Sequence, residues 1–346
     1  MSLHGAKILV TGASGFIGSF VVELALERGA EVWAAVRPTS SRRYLADERI
    51  RFVELDLGND ERLGCQLAEH KARHGAWDYV VHAAGATKCV DVRDFQAVNT
   101  EGTRRLATLL RDGGMVTTRF VFLSSLSAFG AIRETPVAAR PPYYAPIRED
   151  DVPQPNTAYG RSKLAAEQAL AALKDFPCVT LRPTGVYGPR ERDYYLMARC
   201  VARHLDFAVG YRPQEITFVY VRDLAEAVLL AAERGVNGRA YFVSDGGVYD
   251  SRAFAELVQR ELGLRHVGHV RVPVVLLHAV CAAGESWGRL TRQGVTLNLD
   301  KFRILKQRNW QCDISPIQRD LGFCPRYSLE QGVKETVAWY KQEKWL

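Results

Sequence analysis

The sequence has no apolar run long enough to span a bilayer. Its longest, at 272–284, contains His278 and stops well short of the roughly 20 residues a spanning helix needs. It also has no Lys/Arg block. The 46 Lys and Arg against 39 Asp and Glu leave a net charge of +7, but scattered charge does not by itself select a polyanion. Seven cysteines (Cys65, Cys89, Cys178, Cys200, Cys281, Cys312 and Cys324) make an odd set without a C-x-x-C pair or a paired histidine spacing, so no disulfide framework and no metal site is expected. No low-complexity tract or internal repeat is present, and 47% hydrophobic residues exclude disorder. The chain opens without a basic leader, apolar stretch and cleavage site, so no secretory signal is expected and the expected location is cytoplasmic.

What is present is alternation. A β-rich run at 6–11 passes through a glycine-spaced turn into an apolar-periodic helix from Phe16 to Arg28, closed by Gly29. Strands follow at 31–36, 50–55, 78–82, 119–124 and 178–182, with helices over about 60–73, 95–111 and 158–173. This order predicts an α/β fold, a Rossmann doubly wound parallel sheet, with a smaller C-terminal substrate-binding lobe. The expected division is 1–183 for the dinucleotide-binding domain, with parts of 211–250 returning to it, and 184–346 mostly for the lobe. Shorter elements are expected near 194–205, 223–233, 240–244, 251–262 and 329–341. Asp223 with Glu226 and Ser328 with Gln331 have capping-box spacing, and Ser315-Pro316 is a good helix start. The proline-rich stretch 131–157 breaks the pattern; a loop of that length in a compact chain is either disordered or functional.

Three features carry chemistry. In TGASGFIGS, small residues at Gly12, Gly15 and Gly18 let backbone approach a pyrophosphate at a helix N-terminus. At the end of the second strand stand Arg37, Arg42 and Arg43 in place of the acidic residue that binds a free ribose 2′-hydroxyl; arginine there suits a 2′-phosphate, so NADP(H) is favoured over NAD(H). Asp56, ending the third strand, suits an adenine amino group. Tyr159 and Lys163, four residues apart on a helix, share one face, where an ammonium favours a nearby phenolate.

With these residues in place, the chain resembles the extended short-chain dehydrogenase/reductases. The resemblance runs through TGASGFIGS, HAAG at 82–85, VNTEGT at 98–103, LSSLSAFG at 123–130, YGRSK at 159–163, LRPTGVYGPR at 181–190 and FVYVRDLAEA at 218–227. It implies that Tyr159 is the catalytic acid/base, Lys163 its electrostatic partner, Ser125 the hydroxyl on the reacting oxygen and Asn99 an organiser of backbone and water. Ser124 and Ser127 are the alternatives to Ser125. The implied cofactor contacts are Gly12, Ser14, Gly15, Phe16, Ile17, Gly18, Arg37, Asp56, Leu57, Ala83, Ala84, Gly85, Tyr159, Lys163, Pro183, Thr184 and Val186. Lys88, Tyr143 and Tyr144 are candidates for substrate contact.

The family holds several reactions. Sugar dehydratases carry Asp-Glu after the catalytic hydroxyl; here Leu126 and Ser127 follow. Nucleotide-sugar epimerases place a pyrophosphate-clamping arginine where this chain has Ile216, although Arg190, Arg192, Arg199 or Arg203 could replace it. The C-terminal half is similar to 3β-hydroxysteroid dehydrogenase and dihydroflavonol-reductase members. The resemblance therefore implies an NADP(H)-dependent oxidoreductase for carbonyls or alcohols on apolar, steroid- or flavonoid-like small molecules. The alternatives are a nucleotide-sugar 4-epimerase with tightly held NAD and a non-catalytic NADP(H)-binding sensor. No nucleic-acid partner is expected. Relatives dimerise through helices matching 95–111 and 158–173, which predicts a homodimer, with Ala165, Ala166, Ala169 and Ala172 in the contact. The apolar 272–284 run reads as an ordinary buried helix, with a lipid-facing lid as its alternative and peripheral membrane contact left open.

Overall fold

Alternation along the first strand divides the core into two layers. In the computed structural model, which describes residues 3–89, 91–291, 295 and 297–346, β1 (Lys7–Thr11) sends Ile8 and Val10 into one apolar cluster and Leu9 into the other. The same division holds along β2 (Glu31–Val36), where Val32 and Ala34 oppose Trp33 and Ala35. Such strands read as continuous apolar runs because both faces are covered. The chain adds α1 (Phe16–Glu27) between these strands, then β3 (Arg51–Glu54), α2 (Asp60–His74) and β4 (Trp77–His82). Next come α3 (Val92–Phe95), a π-helical turn at Gln96–Glu101, α4 (Gly102–Asp112), β5 (Val116–Leu123), α5 (Ala158–Ala171) and β6 (Cys178–Pro183). The helix expected as one piece over 95–111 is thus broken by the wider π turn.

After β6 the elements shorten: β7 (Gly185–Tyr187), α6 (Asp193–Ala202), β8 (Leu205–Val209), β9 (Glu215–Ile216), β10 (Phe218–Tyr220) and α7 (Val221–Arg234). Then follow β11 (Ala240–Val243), β12 (Tyr249–Asp250), α8 (Ala253–Glu261), β13 (Gly268–Val272), α9 (Val274–Thr291), α10 (Leu299–Lys306), α11 (Ser315–Leu321) and α12 (Leu329–Gln342). Seven parallel strands form the main sheet in the order β11-β6-β5-β4-β1-β2-β3. Helices α1 and α7 cover one face, and α2, α4 and α5 the other. Helix α7 buries ten of its residues, so Leu229→Ala there is expected to cost about 2–5 kcal/mol. The order reverses between β1 and β4, and ligands of doubly wound sheets bind at the carboxyl ends of the strands flanking such a point.

Three two-stranded ribbons, β7 with β10, β9 with β12, and β8 with β13, build the lobe beyond the sheet. The 131–157 loop is ordered by it. The buried Glu215 carboxylate accepts the N–H groups of Tyr143 (2.7 Å) and Tyr144 (3.1 Å), and the Asn309 amide donates to Arg133 and Ala145 carbonyls.

Several local expectations need correction. Asp223 does not cap α7, whose N-cap is Tyr220; its buried carboxylate accepts N–H groups from Arg326 and Tyr327, while Glu226 pairs with Arg28. Ser328 and Gln331 do form the capping box of α12, and α11 starts on Ser315-Pro316. The 272–284 run is not an ordinary buried helix. Helix α9 lies on the surface and buries Leu277 and Cys281, while Val275, Leu276 and Val280 face outward. His278 sits at its edge, 4.9 Å from the Phe302 ring.

Candidate active site

A cavity of about 960 Å³ opens at the reversal of strand order. Its floor is the glycine turn between β1 and α1. Gly12 has φ +68°, and a Cβ there would lie 2.7 Å from the Ala83 backbone, so only glycine lets the ends of β1 and β4 approach so closely. Gly18 packs under Gly12 in the same way. The α1 N-cap is Gly15, with no side chain satisfying the first N–H groups, which leaves donors and a positive dipole for an anion.

Gly12, Ser14 and Gly15 line this cavity together with Arg37, Asp56, Leu57, Ala83, Ala84 and Gly85. Phe16 and Ile17 enter only as the first residues of α1; their side chains pack against the core, with the Phe16 ring edge-on to Phe20. Of the three arginines after β2, Arg37 alone is in the lining. Arg42 stacks on the Phe52 ring and Arg43 pairs with Glu343 at 2.6 Å, which corrects the expectation that all three gather at one phosphate. Sequence reasoning missed Ser40 and Arg62 in the lining. Arg62 pairs with Glu54 and lies 3.6 Å from Asp56. Asp56 itself accepts the Gly58 N–H. Pro183, Thr184 and Val186 stand outside this lining, at the end of β6 and on β7, where the Thr184 hydroxyl donates to the Thr217 carbonyl. A shallow glycine floor, an uncapped helix and one cation at the β2 edge fit a dinucleotide.

The cavity's inner end meets the catalytic candidates at Gly85, where a Cβ would stand 3.2 Å from Lys163 Nζ and 3.1 Å from Asn99 Oδ1. Asn99 is fully buried on the π turn. It accepts the Ala86 N–H (2.7 Å) and donates to the Ala86 carbonyl (2.9 Å) and to Ser162 Oγ (3.0 Å). Lys163 Nζ donates to the Leu123 carbonyl at 2.8 Å. Helix α5 begins at Thr157, whose hydroxyl accepts the Gly160 N–H, so its first turn presents Tyr159 beside the end of β5.

Ser125 caps a 3-10 turn at Leu126–Ala128, its hydroxyl accepting the Ser127 N–H at 3.1 Å, and stands near enough to Tyr159 to pull the phenol down. Of the two alternatives, Ser124 is buried and donates to Glu167, while Ser127 is tied to Ser125 by its backbone N–H. Burial pushes the Tyr159 phenol up to about 12, against a smaller downward pull from Ser125. Burial also pulls Lys163 down to about 8, opposed by Glu167. The expected lowering of the phenol by its lysine neighbour therefore yields to desolvation. A buried set missed in the sequence lies behind them, in which Arg182 pairs with Glu167 at 2.6 Å and stacks on Phe129. Its signal was present: Glu167 follows Lys163 by four residues on the same helix face.

The substrate candidates fare differently. Tyr144 is buried and its hydroxyl donates to the Pro213 carbonyl, so it is a pillar of the loop and not a stacking surface; its neighbour Tyr143 is held half-buried by the same Glu215. Lys88 pairs with Asp193, which also meets Lys301 at 3.3 Å, so this lysine joins the loop after β4 to α6 and α10. Among the described residues no cluster of potential metal ligands occurs.

A crevice at the switch point of a doubly wound sheet, meeting a buried lysine at its inner end with a half-buried tyrosine on the same helix, defines a dinucleotide-binding enzyme that moves hydride. The chain belongs to the NAD-dependent epimerase/dehydratase family, whose model matches residues 8–244, and it is an NAD(P)-dependent enzyme of the extended short-chain dehydrogenase/reductase type. It is 26% identical to a ceramide reductase of Caulobacter vibrioides over 98% of this chain and 96% of that one. It is 27% identical to a 3-beta-hydroxysteroid dehydrogenase of Mycolicibacterium neoaurum, covering 96% and 91%. The solved UDP-glucose 4-epimerase of Thermotoga maritima shares the fold, with a TM-score of 0.74 at 22% identity over 98% and 99% of the two chains.

Proposed function

We propose that the protein is an NADP(H)-dependent oxidoreductase that reduces a carbonyl or oxidises an alcohol on an apolar substrate. The observation that carries the cofactor preference is Arg37 in the cavity lining at the end of β2, where a carboxylate would repel a 2′-phosphate. The substrate class is supported by the ceramide and steroid named for two of the relatives. Of the four arginines that could replace the epimerase clamp, Arg190 bonds Ser19 and Glu23 and stacks between Phe20 and Tyr44, so that one is committed to the fold; Arg192, Arg199 and Arg203 stay open.

A bound nicotinamide would supply or take the hydride; the rest is work for this chain. Tyr159, a phenol at neutral pH, gives its proton to the substrate oxygen as that oxygen gains electrons, and takes it back in oxidation. Ser125 holds the same oxygen in line with Tyr159. Lys163 supplies positive charge beside the phenolate as it forms, and Asn99 fixes the Ala86 backbone at the cavity's inner end.

The chain is further expected to act as a cytoplasmic homodimer through α4 and α5. Ala166 is buried in the core, which leaves Ala165, Ala169 and Ala172 for that contact. Light scattering at the mass of one chain would contradict it. Turnover is tested by mixing the protein with NADPH and sterol, flavonoid and aldehyde carbonyls. Loss of NADPH absorbance with one of them is expected, and turnover of a UDP- or GDP-sugar without net cofactor consumption would overturn the reading.

A further inference from the structure

Helix α9 leaves an apolar stripe uncovered. Leu276, Val280, Ala283, Trp287 and Leu290 recur at alternating steps of four and three along one outward face. Trp287 is 65% and Leu290 78% exposed, values far from those of a packed helix face. The ribbon that leads into α9 continues the pattern: Leu205 and Phe207 of β8 and Val270 of β13, Phe207's register partner, lie on one exposed face. The other face of that ribbon is polar, where Asp206 pairs with His269.

The exposed charge near this face is basic. Residues 265–308 hold eight Lys and Arg against Glu285 and Asp300, and of these Arg265, Arg271 and Lys306 are exposed while Arg308 is buried. Arg212, Arg271 and Lys306 form no ion pair among the described residues. A second copy of this face would bring like charges together, whereas an acidic surface would neutralise them. No helix among the described residues is long and apolar enough to cross a membrane. An apolar stripe rimmed by basic residues, with a tryptophan in it, is the pattern of a helix lying in the plane of a bilayer interface.

We infer that α9 and the β8–β13 ribbon dock the protein on an anionic lipid bilayer. The docked helix is coupled to the site. Asp300, at the start of α10, accepts the Ala158 N–H one residue before Tyr159 (2.7 Å), and Lys301 meets Asp193 and, through it, Lys88. Beneath the C-terminal half of α9 a cavity of about 620 Å³ reaches Phe95, whose ring packs edge-on against Tyr159 at 6.0 Å. That cavity is lined by Asp91, Arg161, Glu285, Asp300 and Arg303, so it joins α9 to the neighbourhood of the site without offering an apolar passage, and the docking does not rest on the substrate reading above.

The test is co-sedimentation of the full chain with phosphatidylcholine vesicles, with and without phosphatidylglycerol, at low and high salt. The expected result is association that needs the acidic lipid, weakens with salt and falls about tenfold or more in Leu276→Glu/Leu290→Glu, with NADPH binding retained. Arg271→Glu/Lys306→Glu, which leaves the apolar stripe intact, should weaken it likewise. Absence of wild-type binding to either vesicle, or equal binding by both variants, would overturn the inference. So would a dimer that Leu276→Glu/Leu290→Glu converts to monomer without any effect of lipid, because a second copy would then be the occupant. Because sedimentation needs no turnover, a failed substrate screen leaves this result readable.

Discussion

Asn99 Nδ2 donates to Ser162 Oγ at 3.0 Å, and that bond ties the π turn to the helix carrying Tyr159 and Lys163. Ser162 in turn donates to the Tyr159 carbonyl. Asn99→Ala removes this link and both bonds to Ala86, leaving half-buried backbone groups without their partners. It is expected to lower kcat by about tenfold or more and to destabilise the fold by about 1–3 kcal/mol. Steady-state kinetics and a denaturant titration check both.

Tyr159→Phe keeps the ring and deletes the proton. Turnover is expected to fall by about 10²–10⁴, the usual share of a general acid, while NADPH affinity stays within a few-fold. Comparing single-turnover rates with dinucleotide titration separates the two effects.

The pH dependence follows from Lys163. Its ordinary value is 10.5 and burial pulls it down to about 8, so the ammonium is present at pH 7 and is lost as pH rises through about 8. The reductive kcat/KM should be level below that point and fall above it. Stability moves the other way: between about 8 and 10.5 the unfolded chain binds the proton more readily, so folding gains with pH there, and below that window the buried charge carries its full cost. Lys163→Met is therefore expected to raise Tm at neutral pH by a few degrees while abolishing most activity.

His82 gives a limb of the same sign at acid pH. Fully buried between the hydroxyls of Thr11 and Thr103, it is pulled by burial to about 3, with Lys163 adding to the effect. The folded chain keeps it neutral while the unfolded chain protonates it below about 6.5, so stability is present above that value and lost as pH falls from there toward 3. Urea midpoints measured across this range, compared with those of His82→Gln, should show the acid slope lessened in the variant.

The Glu167–Arg182 pair is buried on both sides, with side chains 8% and 12% exposed. Glu167→Gln leaves Arg182 without its counter-charge and is expected to cost about 3–5 kcal/mol, and the double change Glu167→Gln/Arg182→Met should recover much of it. Thermal unfolding of the three variants decides whether the pair acts as a unit.

Much of this was legible in the sequence because it depends on short-range spacing. The glycine turn, the alternation of strands and helices, and the i, i+4 relation of Tyr159 and Lys163 are all local, so periodicity reaches them. The π turn under Asn99 was not legible, since a register change of one residue leaves the apolar spacing nearly unaltered. Tyr144 misled because a loop tyrosine looks the same whether it meets a ligand or, as here, the Pro213 carbonyl contributed by a segment 69 residues away. The ribbons at β8–β13 and β9–β12 were missed because each strand finds its partner far along the chain, and β9 and β12 are only two residues long. The surface position of α9 was hidden for a related reason: an apolar run reports what a helix avoids, not which layer covers it.

Denaturing the purified protein and identifying the released dinucleotide, alongside NADPH consumption by wild type and Tyr159→Phe with an apolar ketone, tests the central claim most directly. The expected result is an empty or NADP-loaded site and ketone-dependent NADPH loss that the variant lacks. Stoichiometric NAD with epimerisation of a nucleotide sugar and no net cofactor consumption would contradict it.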